Sequence, residues 1–394
     1  MKKLPKLFLC ILLLLSGMSV SAFDFGLILD QNFALSGSGS ELQFDYQGIL
    51  IPRFSFLLGD NGRLFISAGV NFKNDPFAVV PEILRTEFSW RFSKGEIRVG
   101  RIQYTDPLGF VANGLLDGVH YSHDTELGSF SAGAWYTGLL YKKRIEITMT
   151  DEEKVSFHDS IDYSDFANTY FAPRRIVAAL DWEHPALKEV LRARVAVLGQ
   201  IDVSGADLHS QYLMAKFTLP VKNFIFDLGA CLEFIEDSGS FGTGLVGELG
   251  AAWLLPSRIE DRLQLLGRFS SGTFEDSKMK AFLPITTSYQ GSVFQQKLSG
   301  LSMIQIDYLA RFHKTFSAGI SSSYFIRSDL NTCTILGNEG WFLGNEFFTR
   351  LTWSPVSDLQ VNFGGGFFLP QLGNAARDAD ILWRVELGLV LSLF

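Results

Sequence analysis

The sequence predicts an all-β protein, a transmembrane antiparallel β-barrel of about 18 strands with short periplasmic turns and long extracellular loops. Three observations carry that prediction. The chain is apolar without a helical span. Of its 394 residues, 47% are hydrophobic and only 19% are charged, against roughly 25% charge in an average globular chain. Mean hydropathy is +0.16, yet beyond the N-terminus no run of about 18 apolar residues occurs, the length a spanning helix needs. In lipid every backbone polar group must be satisfied internally, and a closed barrel is the other structure that achieves this. The second observation is period-2 alternation in segment after segment, the pattern of a strand with one apolar face. The third is that short and long connections alternate along the chain, as the turns and loops of a barrel do.

The first element is a leader. Met1-Lys2-Lys3-Leu4-Pro5-Lys6 is a basic start, Leu7 to Leu15 is an apolar core too short to span, and Val20 and Ala22 are small residues placed for cleavage after Ala22. This is the pattern of a secretory signal peptide over residues 1–22, leaving 23–394 as the barrel. The expected location is the outer membrane of a Gram-negative-type bacterium. Cys10 lies in the apolar core without the small residues that precede a lipidated cysteine, which argues against a lipoprotein. Removing Lys2, Lys3 and Lys6 takes the net charge from −8 to −11. A phosphate backbone needs a basic stripe, so nucleic acid is excluded as a partner. Two cysteines remain, Cys231 in a strand and Cys333 in a loop, and read as free thiols.

The strands follow. Residues 23–35 open the barrel. In 41–58, Leu42, Phe44, Tyr46, Gly48 and Leu50 alternate with Glu41, Gln43, Asp45 and Gln47. The turn 59–62 (Gly-Asp-Asn-Gly) leads into 63–73. In 83–93, Leu84, Phe88, Trp90 and Phe92 alternate with Arg85, Glu87, Ser89 and Arg91. Lys94-Gly95 turns the chain into 96–104, and 117–124 and 129–139 are separated by 125–128. Next come 174–183, 190–201 and 208–219. Pro220 bounds 221–234, where Phe224, Phe226, Leu228, Ala230, Leu232 and Phe234 alternate with Asn223, Asp227 and Glu233. The list ends with 243–255, 261–271, 302–312, 316–327, 341–354, 358–369 and 382–394. The two longest connections are 140–173 and 272–301. The last strand closes on Phe394, as the assembly signal of outer-membrane barrels does, although its apolar register (383, 385, 387, 389, 391, 393) excludes that residue. The expected partners are therefore the barrel assembly machinery, reading this strand, and outer-membrane lipid.

No catalytic constellation stands out, so no enzyme, cofactor or metal site is expected. His120 and His123 are three apart on a strand, which puts them on opposite faces. His158 and Asp162 fall in the long 140–173 loop without a serine at a recognisable turn.

The arginines are informative. Arg53, Arg85, Arg91, Arg98, Arg192, Arg194, Arg268, Arg311, Arg350 and Arg384 all fall opposite the aromatic register. A charge facing lipid at mid-depth costs about 2–4 kcal/mol, so these point to the lumen or sit at a rim. Acids share that face: Asp45, Glu87, Asp181, Asp227, Glu233, Glu248, Asp307, Glu346 and Glu386. Two readings stay open. The arginines form a ladder that passes anions or polyhydroxylated solutes, or arginines and acids neutralise each other and brace the wall. A barrel of 18 strands encloses more volume than side chains fill. Any constriction must come from a loop folding inward, and the candidates are 272–301 and 140–173, the latter carrying Lys142, Lys143 and Arg144 against Asp151, Glu152 and Glu153.

The stretch Arg98-Val99-Gly100-Arg101-Ile102-Gln103, followed after a loop by Leu116-Asp117-Gly118-Val119-His120-Tyr121, resembles the strand–loop–strand signature of alginate-export-type outer-membrane porins. The resemblance covers roughly 25 residues. It implies an 18-stranded barrel, an arginine-rich lumen, and Arg101 and Asp117 near the extracellular mouth. Alternation puts Arg101 in register with Ile97 and Val99, so a bulge at Gly100 is needed to turn it inward. The function expected is a channel for small polar solutes, anionic or carbohydrate-like, through a charged lumen. The rivals are a transporter of hydrophobic substrates, which needs lumenal apolar clusters beyond Phe65, Phe325 and Phe348, and a surface-binding barrel with a closed lumen.

Overall fold

The computed structural model describes residues 20–74, 77–149, 153–154, 161–205, 207–237, 239–274, 278–331 and 340–393. Most of the expected leader, with Cys10, lies outside them, as do Asp151, Glu152, His158, Cys333 and Phe394. Among the described residues, 18 strands form one antiparallel sheet closed by pairing of its first and last strands. They are β1 (Val20–Ser38), β2 (Glu41–Leu58), β3 (Gly62–Asn74), β4 (Phe77–Phe92), β5 (Gly95–Thr105) and β6 (Asn113–Thr125). Then come β7 (Gly128–Tyr136), β8 (Arg175–Leu187), β9 (Leu191–Asp202), β10 (Leu208–Val221), β11 (Phe224–Asp237) and β12 (Ser240–Leu254). The last six are β13 (Glu260–Ser270), β14 (Leu301–His313), β15 (Phe316–Arg327), β16 (Phe342–Val356), β17 (Leu359–Leu369) and β18 (Leu382–Leu393).

Register sorts the side chains. Phe25 pairs with Phe54, and Phe54 with Ile66, so one face runs apolar from strand to strand. Phe23, Phe25, Phe44 and Leu42 on that face are exposed. Such a belt would be an aggregation surface in water and is the expected exterior of a barrel in hydrocarbon. Aromatic pairs brace it, with Phe23 and Phe56 at 5.1 Å and Phe25 and Phe54 at 5.2 Å between ring centroids. The opposite face carries Arg53, Glu87, Asp227 and the other charges, so the alternation rule places each in the lumen.

Strand bounds agree with the sequence reading at 41–58 and 316–327, and most others differ by three residues or fewer. Three differences have local causes. β4 starts at Phe77, not 83, because its first half holds Pro81, a residue that argues against a strand with two paired neighbours. That half is paired on one side only: β4 meets β3 from Asn74↔Phe77 onward, but meets β5 only from Thr86↔Arg101 downward. β8 runs through Pro185 to Leu187, where a register shift between His184 and Leu187 accommodates the proline. β7 stops at Tyr136 because Gly138 and its neighbours leave the wall.

The lumen is partly filled. Three segments fold into it and bond to one another: 106–112 between β5 and β6, the inner part of the β7–β8 connection, and 271–300 between β13 and β14. Ile147 bridges Thr286, Thr148 N donates to Ile285 O at 3.0 Å, and Thr286 N donates to Val111 O at 3.1 Å. They pack on an apolar inner face made by Ile102, Leu116, Trp135, Val177, Leu198, Tyr212, Met214 and Val246, joined by Leu108, Phe110, Phe282 and Ile285. Phe65, Phe325 and Phe348 are thus not the only lumenal apolar groups. Stretches such as Val177-Ala178-Ala179-Leu180 are apolar on both faces, and the two-residue period vanishes there.

Candidate functional site

Each inward segment is held by an acid. Asp106 accepts four backbone N–H bonds, from Leu108 (2.7 Å) and Gly109 (2.9 Å) on Oδ1 and from Val111 (2.9 Å) and Ala112 (2.8 Å) on Oδ2. Burial raises its carboxyl above the ordinary range, against the lowering effect of those donors. The loop so folded pushes Leu108 onto β11, where a Cβ on Gly229 would lie 2.6 Å from Leu108 Cδ2. The 271–300 segment is anchored twice. Glu233 accepts from Leu283 N at 2.9 Å, and Glu346 accepts from the N–H groups of Ser292 (2.7 Å), Val293 (2.9 Å) and Phe294 (2.8 Å). Phe294 then stacks on Phe368 at 4.2 Å. In the β7–β8 connection, Arg144 pairs with Glu82 at 2.8 Å and Glu153 with the buried Arg175 at 2.6 Å. These charges hold the segment to β4 and β8 and do not face one another.

The ten arginines lie on the inward register, and ion pairs within 4 Å run along it. Arg85 grips Glu87 (2.8 Å) beneath the Phe65 ring. Arg91 and Arg98 share Glu96 (3.5 and 3.7 Å), and Arg98 also donates to His120 Nδ1 at 3.0 Å. Arg192 and Arg194 share Glu183. Arg268 donates to Glu248 (3.1 Å) and lies 4.4 Å from the Phe110 ring, so it also seats the 106–112 loop. Arg311 meets Glu260 (3.3 Å) at an exposed rim, Arg350 meets Asp307, and Arg384 meets Glu386 (3.2 Å). Arg53 lies across Gly26, where a Cβ would fall 2.7 Å from its Nε. Asp227 accepts from Thr218 Oγ1 at 2.5 Å.

Arg101 and Asp117 are brought together in a two-point pair, Nε to Oδ1 at 2.8 Å and Nη2 to Oδ2 at 2.7 Å. No register shift interrupts β5 and β6 there, so Gly100 does not turn Arg101 into the lumen. Gly100 has a φ of +117°, and a Cβ on it would lie 2.2 Å from Thr86 O. Arg101 is buried because the wall above it is unpaired and its guanidinium fills the gap, donating also to Ile83 O and to Leu139 O (2.9 Å). His120 is buried on the inner face, and His123 lies on the other face beside Tyr121. Among the described residues, no group of three or more His, Cys, Asp or Glu is placed to hold a metal.

Among the described residues, a cavity of about 610 Å³ lies along β16–β18 and β1–β3. Its walls carry Asn32, Gln47, Asn74, Gln295, Thr352 and Asn362, together with Asp45, Lys73, Arg350, Arg384 and Glu386. Amides and ions of both signs line it beside Phe33, Leu351 and Phe363, a surface that offers hydrogen bonds of both polarities.

No family model and no curated protein matches the chain. Solved structures do. Pseudomonas aeruginosa OccK9 (OpdG) aligns over 95% of this chain and 99% of its own at 13% identity, with a TM-score of 0.64. P. aeruginosa OccK2 (OpdF), solved in complex with glucuronate, aligns over 95% and 99% at 11% identity with a TM-score of 0.63. Acinetobacter baumannii OccAB1 aligns over 95% and 98% at 13% identity with a TM-score of 0.60. The Pseudomonas neighbours are outer-membrane porins with an 18-stranded barrel, and this chain shares their fold.

Proposed function

We propose that the protein is an outer-membrane channel that passes small polar solutes by diffusion, favouring uncharged, carbohydrate-like ones. The observation that carries this reading is the polar cavity of about 610 Å³ inside a closed barrel whose exterior is apolar. A selective field needs an imbalance of charge, and the lumenal arginines are laid against acids, as at Arg85–Glu87, Arg268–Glu248 and Arg384–Glu386. Hydroxylated solutes suit amides and paired ions, which donate and accept in turn. The complex of OccK2 with glucuronate, a sugar acid, supports a carbohydrate-sized ligand for this architecture. It also favours the second reading, anionic solutes, since Lys73, Arg350 and Arg384 face the cavity against Asp45 and Glu386. The kinship with alginate-export-type porins belongs to the same proposal. Its motif pair, Arg101 and Asp117, is spent on the wall, and the matched charges do not favour a polyanion. Liposome swelling separates the readings. Neutral monosaccharides entering faster than sugar acids of the same size support the first, and the reverse order supports the second. No swelling with either rejects the channel.

A further inference from the structure

One stretch of the wall is shut by side chains instead of backbone. The β4–β5 ladder runs from Phe92↔Gly95 to Thr86↔Arg101 and ends there, while β4 goes on with β3 to Phe77 and β5 goes on with β6 to Thr105. In an antiparallel strand, alternate residues turn N–H and C=O toward the same neighbour, so the polar groups of Val79, Pro81 and Ile83 face a strand that is not paired with them. Pro81 has no N–H to offer, which makes this edge permanent. Each position is capped. Tyr163 Oη donates to Val79 O at 2.9 Å and accepts from Val79 N at 3.4 Å. Tyr170 Oη donates to Pro81 O at 2.9 Å, and Arg101 donates to Ile83 O. Behind the caps lies an apolar cluster of Val80, Tyr141 and Tyr170, with Phe166 and Phe171 packed on it. In front, Phe77 and Ile83 are exposed on the apolar exterior.

We propose that this seam is a lateral gate, through which a single-chain apolar or amphipathic molecule passes between the membrane and the apolar cluster around Val80. Two phenols and a guanidinium leave an edge by side-chain and loop movement, with no strand pairing broken. At Val177, by contrast, a lateral opening would have to unzip a ladder on either side. The ligand class follows from what the gate joins, a lipid-facing surface and an interior in which the aromatic cluster adjoins the pair of buried Glu82 with Arg144, so that a chain with a polar head suits it. The proposal needs the barrel to sit in a membrane but does not depend on the polar route through the cavity.

Accessibility from the lipid phase tests it. The full chain carrying C10A, C231A and C333A receives a single cysteine at Val80 (V80C) or at Val177 (V177C). Val177 is equally buried, but behind a wall paired on both sides. In vesicles containing pyrene maleimide dissolved in the bilayer, V80C is expected to label several-fold faster than V177C. Y163F/Y170F is expected to widen the difference while KCl conductance stays unchanged, and oleate added to the vesicles is expected to slow V80C labelling. If the tyrosine variant does not fold, the V80C against V177C comparison decides alone. Equal labelling of the two positions overturns the gate, and V80C labelling indifferent to oleate overturns the ligand class. Loss of KCl conductance with V80C still labelled would count against the channel and leave the gate standing.

Discussion

Replacing Glu346 with Gln should loosen the 271–300 segment and widen the channel without changing its ion preference. Glu346 is buried on β16 and its two oxygens take three N–H bonds, at 2.7, 2.9 and 2.8 Å. Hydrogen bonds to a charged group are worth about 1.5–3 kcal/mol each and are not additive. A carboxamide keeps one acceptor and turns an NH₂ against the remaining donors, so the loss is about 3 kcal/mol. The stack of Phe294 on Phe368, worth about 0.5–1.5 kcal/mol, survives but does not offset it. At 1.4 kcal/mol per tenfold, the docked-to-undocked ratio of the segment falls by about a hundredfold. The assay is single-channel recording in planar bilayers, on protein whose folding is checked by its heat-modifiable migration. E346Q should give larger, noisier steps with an unchanged reversal potential, and E346A more so. Steps of unaltered size with a reversal potential moved toward anions would refute this. They would mean that Glu346 acts as a free lumenal charge.

Other substitutions address other parts of the account. R350Q leaves Asp307 without its partner and should move the reversal potential toward cations, and adding D307N should move it back. D106N removes the charge that collects four N–H bonds, so the thermal unfolding midpoint should fall by the equivalent of about 3 kcal/mol, with a rise in conductance. G100A puts a Cβ against Thr86 O at a φ that costs a non-glycine residue about 1–3 kcal/mol, and the yield of folded barrel should drop. Burial, aided by Glu82, pushes the Tyr170 phenol up to about 12, from about 10 in an unfolded chain. A raised acid stabilises the closed seam fully below pH 10, and that contribution is lost as pH climbs through the folded value. Ultraviolet titration of wild type against Y170F should show one tyrosine ionising late.

Most of the barrel was legible in the sequence because the environment is periodic. Lipid on one side and water on the other impose alternation on every strand, and β2 carries it from Glu41 to Gly48 and β15 from Phe316 to Tyr324. The faces of the ten arginines follow from the same rule. Legibility ends where one face stops being distinctive. Val177 to Leu180 and Gly114 to Leu116 are apolar on both sides, so the inner apolar face could not be told from the outer. Pro81 marks an edge that the alternation from 83 onward does not reach. The short 106–112 loop does not stand out beside two long ones, although Asp106-Pro107 followed by Gly109 is a turn sequence leading straight into the apolar Phe110, Val111 and Ala112. Which acids meet arginines and which meet loop N–H groups depends on cross-strand register and on contacts far apart in sequence, as between Glu346 and Phe294. Alternation carries no information on either.

The central claim, a water-filled and charge-balanced lumen, is tested most directly by the planar-bilayer conductance of the purified, refolded protein across a KCl gradient. The account predicts discrete steps with a reversal potential close to zero. Silence from protein shown to be folded would contradict it.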